Sequence, residues 1–120
     1  MSEQRPPNPH YTDPVPTAFD QFHLVLLEPN PDRAEPTTDE ERAALQQSQM
    51  DHLKLLKDLY DQGVSVGAGP FNDGGGGLMI IRGDKATEEE IKAIMAKDAH
   101  VASGRLTVVV RSFVLPKDVM

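Results

Sequence analysis

The sequence predicts a single α+β domain in which four strands and two helices follow one another in the order βαββαβ. Apolar runs of strand length occur at residues 22–27, 78–82 and 105–114. Two segments with helical spacing of apolar residues each begin at a threonine with a glutamate three positions later. A chain of 120 residues suits one hydrophobic core.

Composition excludes several classes of function. With 19 acidic and 12 basic residues the net charge is −7, which argues against binding to nucleic-acid phosphates or to an anionic membrane surface. The absence of cysteine excludes disulfides, thiolate catalysis and cysteine-ligated metals. No apolar run is long enough for a signal peptide or a membrane span. We therefore expect a soluble cytoplasmic protein without nucleic-acid or membrane partners.

The chain divides into a short arm, a domain and a tail. Residues 1–18 are rich in proline and polar groups, and proline removes backbone donors, so we expect an extended, flexible arm. The domain is expected over residues 19–116, followed by a tail at residues 117–120. The first strand is predicted at Phe22–Leu27, and the proline-punctuated segment after it is predicted to be a loop.

The first helix is predicted to start near Thr38, which forms a capping-box pattern with Glu41. It should end at Gly63, because glycine readily adopts the left-handed conformation that closes a helix. Strands are predicted at residues 64–68 and 78–82. The glycine tract between them lacks the lysine and the Ser/Thr of a phosphate-binding loop, so no nucleotide site is expected.

The second helix is predicted to start at Thr87, in a capping box with Glu90, and to end near Lys97. Residues 98–104 are interpreted as a turn, and the last strand as residues 105–114. This order of elements is typical of the ferredoxin-like fold, with both helices on one face of a four-stranded antiparallel sheet. Apolar residues such as Val109 would lie on the uncovered face. We therefore expect a homodimer, or a higher oligomer built from it, with sheets packed face to face.

His52 is the strongest indication of chemistry in the sequence. Turning about 100° per residue places His52 beside Leu45, Leu56 and Leu59 on the apolar stripe of the first helix. A buried imidazole needs hydrogen-bond partners, and its pKa is sensitive to its neighbours. It could be a functional residue, or a core or interface histidine with satisfied ring nitrogens. His23 in the first strand has the same two interpretations.

Other polar residues suggest weaker hypotheses. His23, His52, His100 and Asp98 could hold a metal if they converged, but their spacing matches no ligand motif, so neither metal nor cofactor is predicted. Arg82 and Arg105 lie at strand ends. They could bind a substrate carboxylate, or they could be solvated or paired with acidic residues.

Two motifs resemble those of the YciI-like (YCII-related) proteins. His52 and Leu53 are followed by Gly63 and then by Ala68-Gly69-Pro70-Phe71, which is similar to the first family motif. The second, Asp-Pro-x-x-x-Ala-Gly, is matched in part by Asp98–Gly104, where alanine replaces the proline and serine replaces the motif's alanine. The resemblance covers about residues 20–115. It implies a dimeric α+β barrel with a small pocket in each subunit and His52 with Asp98 as the active-site pair.

These observations give two functional hypotheses. In the first, the chain is an enzyme of unassigned substrate. His52 and Asp98 move a proton on a small cyclic or aromatic compound, by isomerisation or by elimination of HX, as in the dehydrochlorinases and muconolactone isomerases that the resemblance suggests. Further substrate-binding residues would be Gly69, Pro70, Phe71, His23 and His100. In the second, the domain binds a ligand or dimerises without catalysis, and His52–Asp98 is a structural pair.

Overall fold

The computed structural model describes residues 17–120. The strands are β1 (Phe19–Pro29), β2 (Ser65–Pro70), β3 (Gly77–Arg82) and β4 (Leu106–Pro116), and the helices are α1 (Asp39–Asp61), α2 (Glu88–Met95) and α3 (Ala99–Ala102). Most of the expected N-terminal arm, residues 1–16, lies outside the described residues. Across the described part, no helix has both the length and the apolar composition needed to cross a membrane.

The four strands form one antiparallel sheet in the order β2-β3-β1-β4. β1 is central and pairs with β4 along its whole length, from Phe19 opposite Pro116 to Pro29 opposite Leu106. Its other edge pairs with β3, with Val25 opposite Met79. β2 pairs only with β3, through a register shift between Ser65 and Gly67. The predicted ferredoxin-like α+β fold is confirmed.

The core lies between the sheet and the helices. Alternation along the strands directs Val25, Met79 and their neighbours towards the helices. The buried cluster formed there consists of Val25, Leu27, Leu59, Met79, Ile81, Ala86, Ile91 and Met95. Leu106, Val108 and Val110 pack against its edge. β4 therefore contributes alternate residues to the core, and Val109 between them lies on the other face, as predicted.

The opposite sheet face is apolar but lacks a helical cover among the described elements. Strand register places Leu24 and Ile80 together on this face, and Leu26 with Val109. Val109 is 38% exposed, and Phe113, which pairs with the buried Phe22 on the same face, is 37% exposed. Exposed neighbouring apolar side chains on one sheet face are typical of a surface that another molecule covers.

Helix ends follow their capping residues. The Thr38 hydroxyl accepts from the amide of Glu41 at 3.0 Å, but the Glu41 carboxylate accepts from the amide of Thr37 instead of Thr38, so only half of that predicted box forms. At α2 both bonds of the Thr87–Glu90 box are present. α1 ends where predicted, because Gly63 adopts φ +74°.

Several predicted boundaries differ from those of the structure. β1 extends beyond residues 22–27 at both ends, and β4 continues through Pro116, because each pairs with the other over all eleven residues. Residues 98–104 are not simply a turn, since Ala99–Ala102 form the short helix α3. Asp98 explains this helix: its side chain accepts from two amides of the first turn, as an N-cap does.

Candidate functional site

His52 and Asp98 are in direct contact. His52 lies in the middle of α1 with its side chain 10% exposed, and its Nδ1 lies 2.7 Å from Oδ1 of the fully buried Asp98. An ionised carboxylate can only accept hydrogen bonds, so Nδ1 carries the proton. Nε2 makes no hydrogen bond with a described residue. In the neutral ring Nε2 therefore presents a lone pair, and it is the atom able to accept or return a proton.

Asp98 is held in place by the start of α3. Its Oδ2 accepts from the amides of His100 and Val101 at 3.1 and 3.2 Å, which leaves Oδ1 directed at His52. Burial would by itself raise the pKa of Asp98. The hydrogen bond and charge of His52, with the two amides, outweigh it and bring the pKa of Asp98 below its ordinary value. The carboxylate is thus ionised and fixed in orientation by the backbone.

His100 forms the second polar group of this region. Its side chain is buried, its Nε2 lies 2.7 Å from Oε1 of Gln49, and its ring centroid lies 5.0 Å from that of His52. Nδ1 of His100 is buried without a hydrogen-bond partner among the described residues. Burial, with the positive charges at His52 and Arg105, lowers the pKa of His100 despite the opposing charge of Asp98. The ring is accordingly favoured in its neutral form.

A cavity of about 720 Å³ opens in front of the two histidines. Its walls come from α1, the end of β1, the β2–β3 hairpin, α3 and the start of β4. Gly69, Pro70, Phe71, His52 and His100 all line it. Its size is within the range usual for small-molecule sites. The structure thus brings most of the proposed site residues around one space, with the imidazole of His52 in its wall.

His23 lies elsewhere. It pairs in β1 with Ile81 of β3 and Ser112 of β4 and is not among the residues that line the cavity. Strand alternation places it on the same face as Val25, next to the core. Its position therefore corresponds to the sheet-face alternative and offers no support for contact with a ligand in this cavity.

The cavity also contains polar residues that the sequence did not single out. Gln49 and Gln46 line it from α1, and Arg33 and Arg42 from the loop after β1 and the first turns of α1. Gln49 lies three residues before His52, so helical periodicity could have placed both on one face. The sequence held no such signal for Arg33, because its position depends on how the loop after β1 folds back. Arg105 lines the cavity, whereas Arg82 does not.

The described residues contain no group of three or more His, Cys, Asp or Glu side chains arranged to hold a metal ion. His52, His100 and Asp98 are close together, but Asp98 already accepts three hydrogen bonds. The arrangement as it stands is suited to proton transfer, with an oriented imidazole whose second nitrogen is available.

Comparison with known proteins places the chain in a family. No curated protein matches it significantly. The family model of the YCII-related domain matches residues 22–113. This range begins in β1 and ends in β4, so it includes the sheet except for the outer ends of these two strands, all three helices and both members of the His52–Asp98 pair. The match covers more than half of the sequence, and the chain therefore belongs to the YCII-related domain family.

Proposed function

We propose that His52 transfers a proton to and from a small cyclic or aromatic compound bound in the cavity, in an isomerisation or an elimination of HX. One observation carries the proposal: His52 lies 2.7 Å from a buried carboxylate through Nδ1 and lines a cavity of about 720 Å³. Orientation of an imidazole by a carboxylate, with the second ring nitrogen open to a ligand, is the arrangement that general acid–base catalysis needs.

The proposed steps use residues of this chain only. Nε2 of His52 removes a proton from a carbon next to an activating carbonyl group, and the resulting imidazolium is stabilised by Asp98. In an isomerisation the electron pair of the broken C–H bond moves through the ligand and the imidazolium returns the proton to a second carbon. In an elimination the same pair forms a double bond, halide leaves with the electrons of its bond, and the proton passes to solvent.

The hairpin wall would assist this chemistry. Gly69 and Pro70 end β2 at the cavity, and the exposed ring of Phe71 follows them. Phe71 offers an apolar surface to a flat ligand. Gly74 and Gly76 also line the cavity, and without side chains they leave room for a ligand to approach their backbone.

A non-catalytic ligand-binding or dimerisation module is the alternative. In that case the His52–Asp98 contact only joins α1 to the start of α3. A purely structural pair, however, requires no cavity beside it, and sealed packing would stabilise it better. The cavity therefore favours binding of a small molecule, and the free Nε2 favours chemistry on it.

The uncovered sheet face supports a homodimer as the working form. Leu24, Leu26, Leu78 and Ile80 are half-buried, and Val109 and Phe113 remain more exposed. We propose that a second copy covers this face, so that two sheets enclose a shared apolar layer. α1 forms a wall of the cavity and packs on the other face of the sheet, so a dimer of this kind would leave the helical side of each cavity free.

The catalytic proposal is tested by turnover. Chlorinated and hydroxylated aromatic compounds and small lactones are screened with the wild type and with His52→Gln and Asp98→Asn. We expect His52→Gln to lower kcat by about 10²–10⁴-fold, the usual contribution of a general base. Asp98 acts through His52 as a positioning residue, so Asp98→Asn should lower kcat by at least about tenfold with little change in KM.

Two measurements separate catalysis from structural damage. Ring ¹⁵N shifts should show the His52 proton on Nδ1 in the wild type and on Nε2 in Asp98→Asn, because the single amide oxygen is needed by the amides of His100 and Val101 and the NH2 group then faces Nδ1 as a donor. His23→Gln removes a histidine outside the cavity and should leave turnover unchanged. Undiminished turnover in His52→Gln would contradict the proposed mechanism.

A further inference from the structure

The charges around the cavity are all of one sign. Three arginines line it: Arg33, Arg42 and Arg105. None of the described residues that line it is an aspartate or glutamate. The whole chain, by contrast, has a net charge of −7. An excess of cations in the wall of a cavity in an acidic protein raises the local concentration of anions.

Arg105 is the best placed of these cations. It is half-buried, immediately before β4, and one Nη donates to the carbonyl of Ala34 at 2.6 Å. Its guanidinium has no carboxylate partner among the described residues, and its other nitrogens have no acceptor there. A guanidinium oriented at one nitrogen and open at the others is suited to a planar two-point acceptor.

The other two arginines differ in availability. Arg42 is exposed and already paired with Asp39 at 2.5 Å. Arg33 is also exposed, and it donates to the carbonyl of Asn30 at 3.0 Å but to no carboxylate among the described residues. The side chain of Asn30 in turn donates to Gly104, next to Arg105. The loop at residues 30–34, which carries Arg33, is thus hydrogen-bonded to Gly104 and Arg105, so the two arginines without a carboxylate partner among the described residues lie in connected parts of the cavity wall.

The rest of the wall is apolar. Leu27, Leu53, Leu56, Leu78, Leu106 and Phe71 account for much of it. Phosphate groups are commonly bound by backbone amides at a helix N-terminus or in a glycine-rich loop that precedes a helix. The N-terminal residues of α1 are not part of this wall, which begins on that helix at Arg42. A singly charged, flat, mostly apolar anion fits these features better.

We propose that the cavity binds an organic carboxylate whose carboxyl group contacts Arg105, with Arg33 as the second cation and the apolar body lying towards His52. This inference rests on the proposed function and specifies its substrate class. The charged group of the ligand is held at the β4 end of the cavity, and the reacting carbon is presented to Nε2 of His52. A fixed carboxyl group would orient the ligand without taking part in the proton transfer.

Binding of benzoate and benzamide tests the class of ligand, because the two share a ring and a planar head group but differ in charge. Chemical-shift titration of the full chain at neutral pH gives both affinities. We expect benzoate to bind at least about tenfold more tightly than benzamide, with dissociation constants on the order of millimolar for such small probes. Inorganic phosphate is titrated as a competitor and should displace benzoate poorly.

Variants assign the contact to Arg105. Arg105→Gln should remove the preference for benzoate and leave benzamide binding unchanged, and Arg105→Lys should keep part of the preference because the charge remains but the two-point geometry is lost. Arg82→Gln removes an arginine outside the cavity and should change neither affinity. Thermal unfolding of each variant verifies that the fold is retained, since Arg105 also bonds to Ala34.

The results distinguish this inference from the proposed function. His52→Gln should lose turnover but still bind benzoate more tightly than benzamide. The carboxylate site is therefore tested independently of the catalytic proposal. Equal affinities for the two probes, failure of both to bind at about 10 mM, an unchanged preference in Arg105→Gln, or displacement of benzoate by equimolar phosphate would each overturn the inference.

Discussion

His100 occupies a place in the fold where a second proton on its ring is unfavourable. Its Nε2 is used by Gln49, and protonation of the buried, unpartnered Nδ1 would create a donor without an acceptor among the described residues. The positive charges of His52 and Arg105 act in the same direction, and Asp98 acts against them. The pKa of His100 is therefore lower in the folded protein than its ordinary 6.5.

This depressed pKa predicts a loss of stability on acidification. Below about pH 6.5 the unfolded chain takes up a proton that folded His100 does not, so the free energy of unfolding falls as pH falls, until the pKa of the folded state is reached. One proton sets a limit of about 1.4 kcal/mol per pH unit. Urea denaturation of wild type and His100→Gln between pH 7 and 5 should give a flatter pH profile for the variant.

Asp98 contributes to the free energy of unfolding in a separate pH range, so its titration does not affect the comparison of the two pH profiles. Its pKa in the folded protein is lowered from 3.8, so its contribution is present above that value and is lost only as pH falls through its lower, folded-state pKa. The two titrations therefore do not overlap in the range of the measurement. Parallel profiles for wild type and His100→Gln would show that the buried ring does not carry the effect.

The residues of the site differ in how far the sequence alone predicts them. His52 could be assigned to the interior from helical periodicity, since its neighbours on the stripe are leucines. Its partner could not, because Asp98 is 46 positions away and only the family resemblance paired them. Leu53 and Tyr60, which follow His52 and Leu59 directly in sequence, are 48% and 59% exposed, so the buried face of α1 is narrow. His100 and Gln49 meet only because α1 packs over α3.

Among the elements, the β2–β3 hairpin has the tightest geometry near the cavity. Gly76 has φ +91°, and a Cβ at this position would lie 1.9 Å from the carbonyl oxygen of Leu27 in β1. The carbonyl of Gly76 also accepts from the amide of Phe71 at 2.8 Å. Glycine is thus required here by both conformation and space, and the hairpin is held against β1 at the edge of the cavity.

Gly74 and Gly76 form a matched pair for testing this constraint. Gly74 also has positive φ, +78°, but a Cβ there would meet nothing within 4 Å. Gly74→Ala should cost about 1 kcal/mol of unfolding free energy from backbone strain alone. Gly76→Ala should cost about 3 kcal/mol or more, because β1 or the hairpin must also move. Chemical denaturation measures both, and similar costs for the two variants would contradict the close approach to Leu27.

The existence and order of the strands and of the two longer helices followed from local patterns, but their ends did not. β1 gains Phe19 and Pro29 at its two ends because β4 supplies hydrogen-bond partners there, and partners far away in sequence leave no local signal. α3 has four residues, too few for a periodic pattern. Only its N-cap could have indicated it, and Asp98 followed by alanine, histidine and valine is a weak signal for a helix.

On the scale of the whole molecule, one apolar face of the sheet packs against the helices, and the other apolar face is not covered by a helix or strand among the described residues. The sequence indicated this imbalance, because the strands carry apolar residues on both faces. The structure gives it a location, centred on Leu26 and Val109 of the neighbouring strands β1 and β4. A dimer requires the association of two chains, which the structure of one chain does not show. The dimer therefore stays a prediction.

Val109→Asp tests that prediction, because a carboxylate would be buried in the sheet–sheet interface of both subunits. Sedimentation analysis should show a dimer for the wild type and a monomer for the variant, with dimer affinity reduced by at least about a hundredfold, since unpaired like charges in an apolar interface cost several kcal/mol. Met50→Asp, at a position 62% exposed on α1, is the control and should remain dimeric. A monomeric wild type at about 100 μM, or a dimeric Val109→Asp, would contradict this prediction and indicate that a different partner covers the face. In the monomeric variant the contact between His52 and Asp98 should persist, because α1 and the start of α3 form it within one chain.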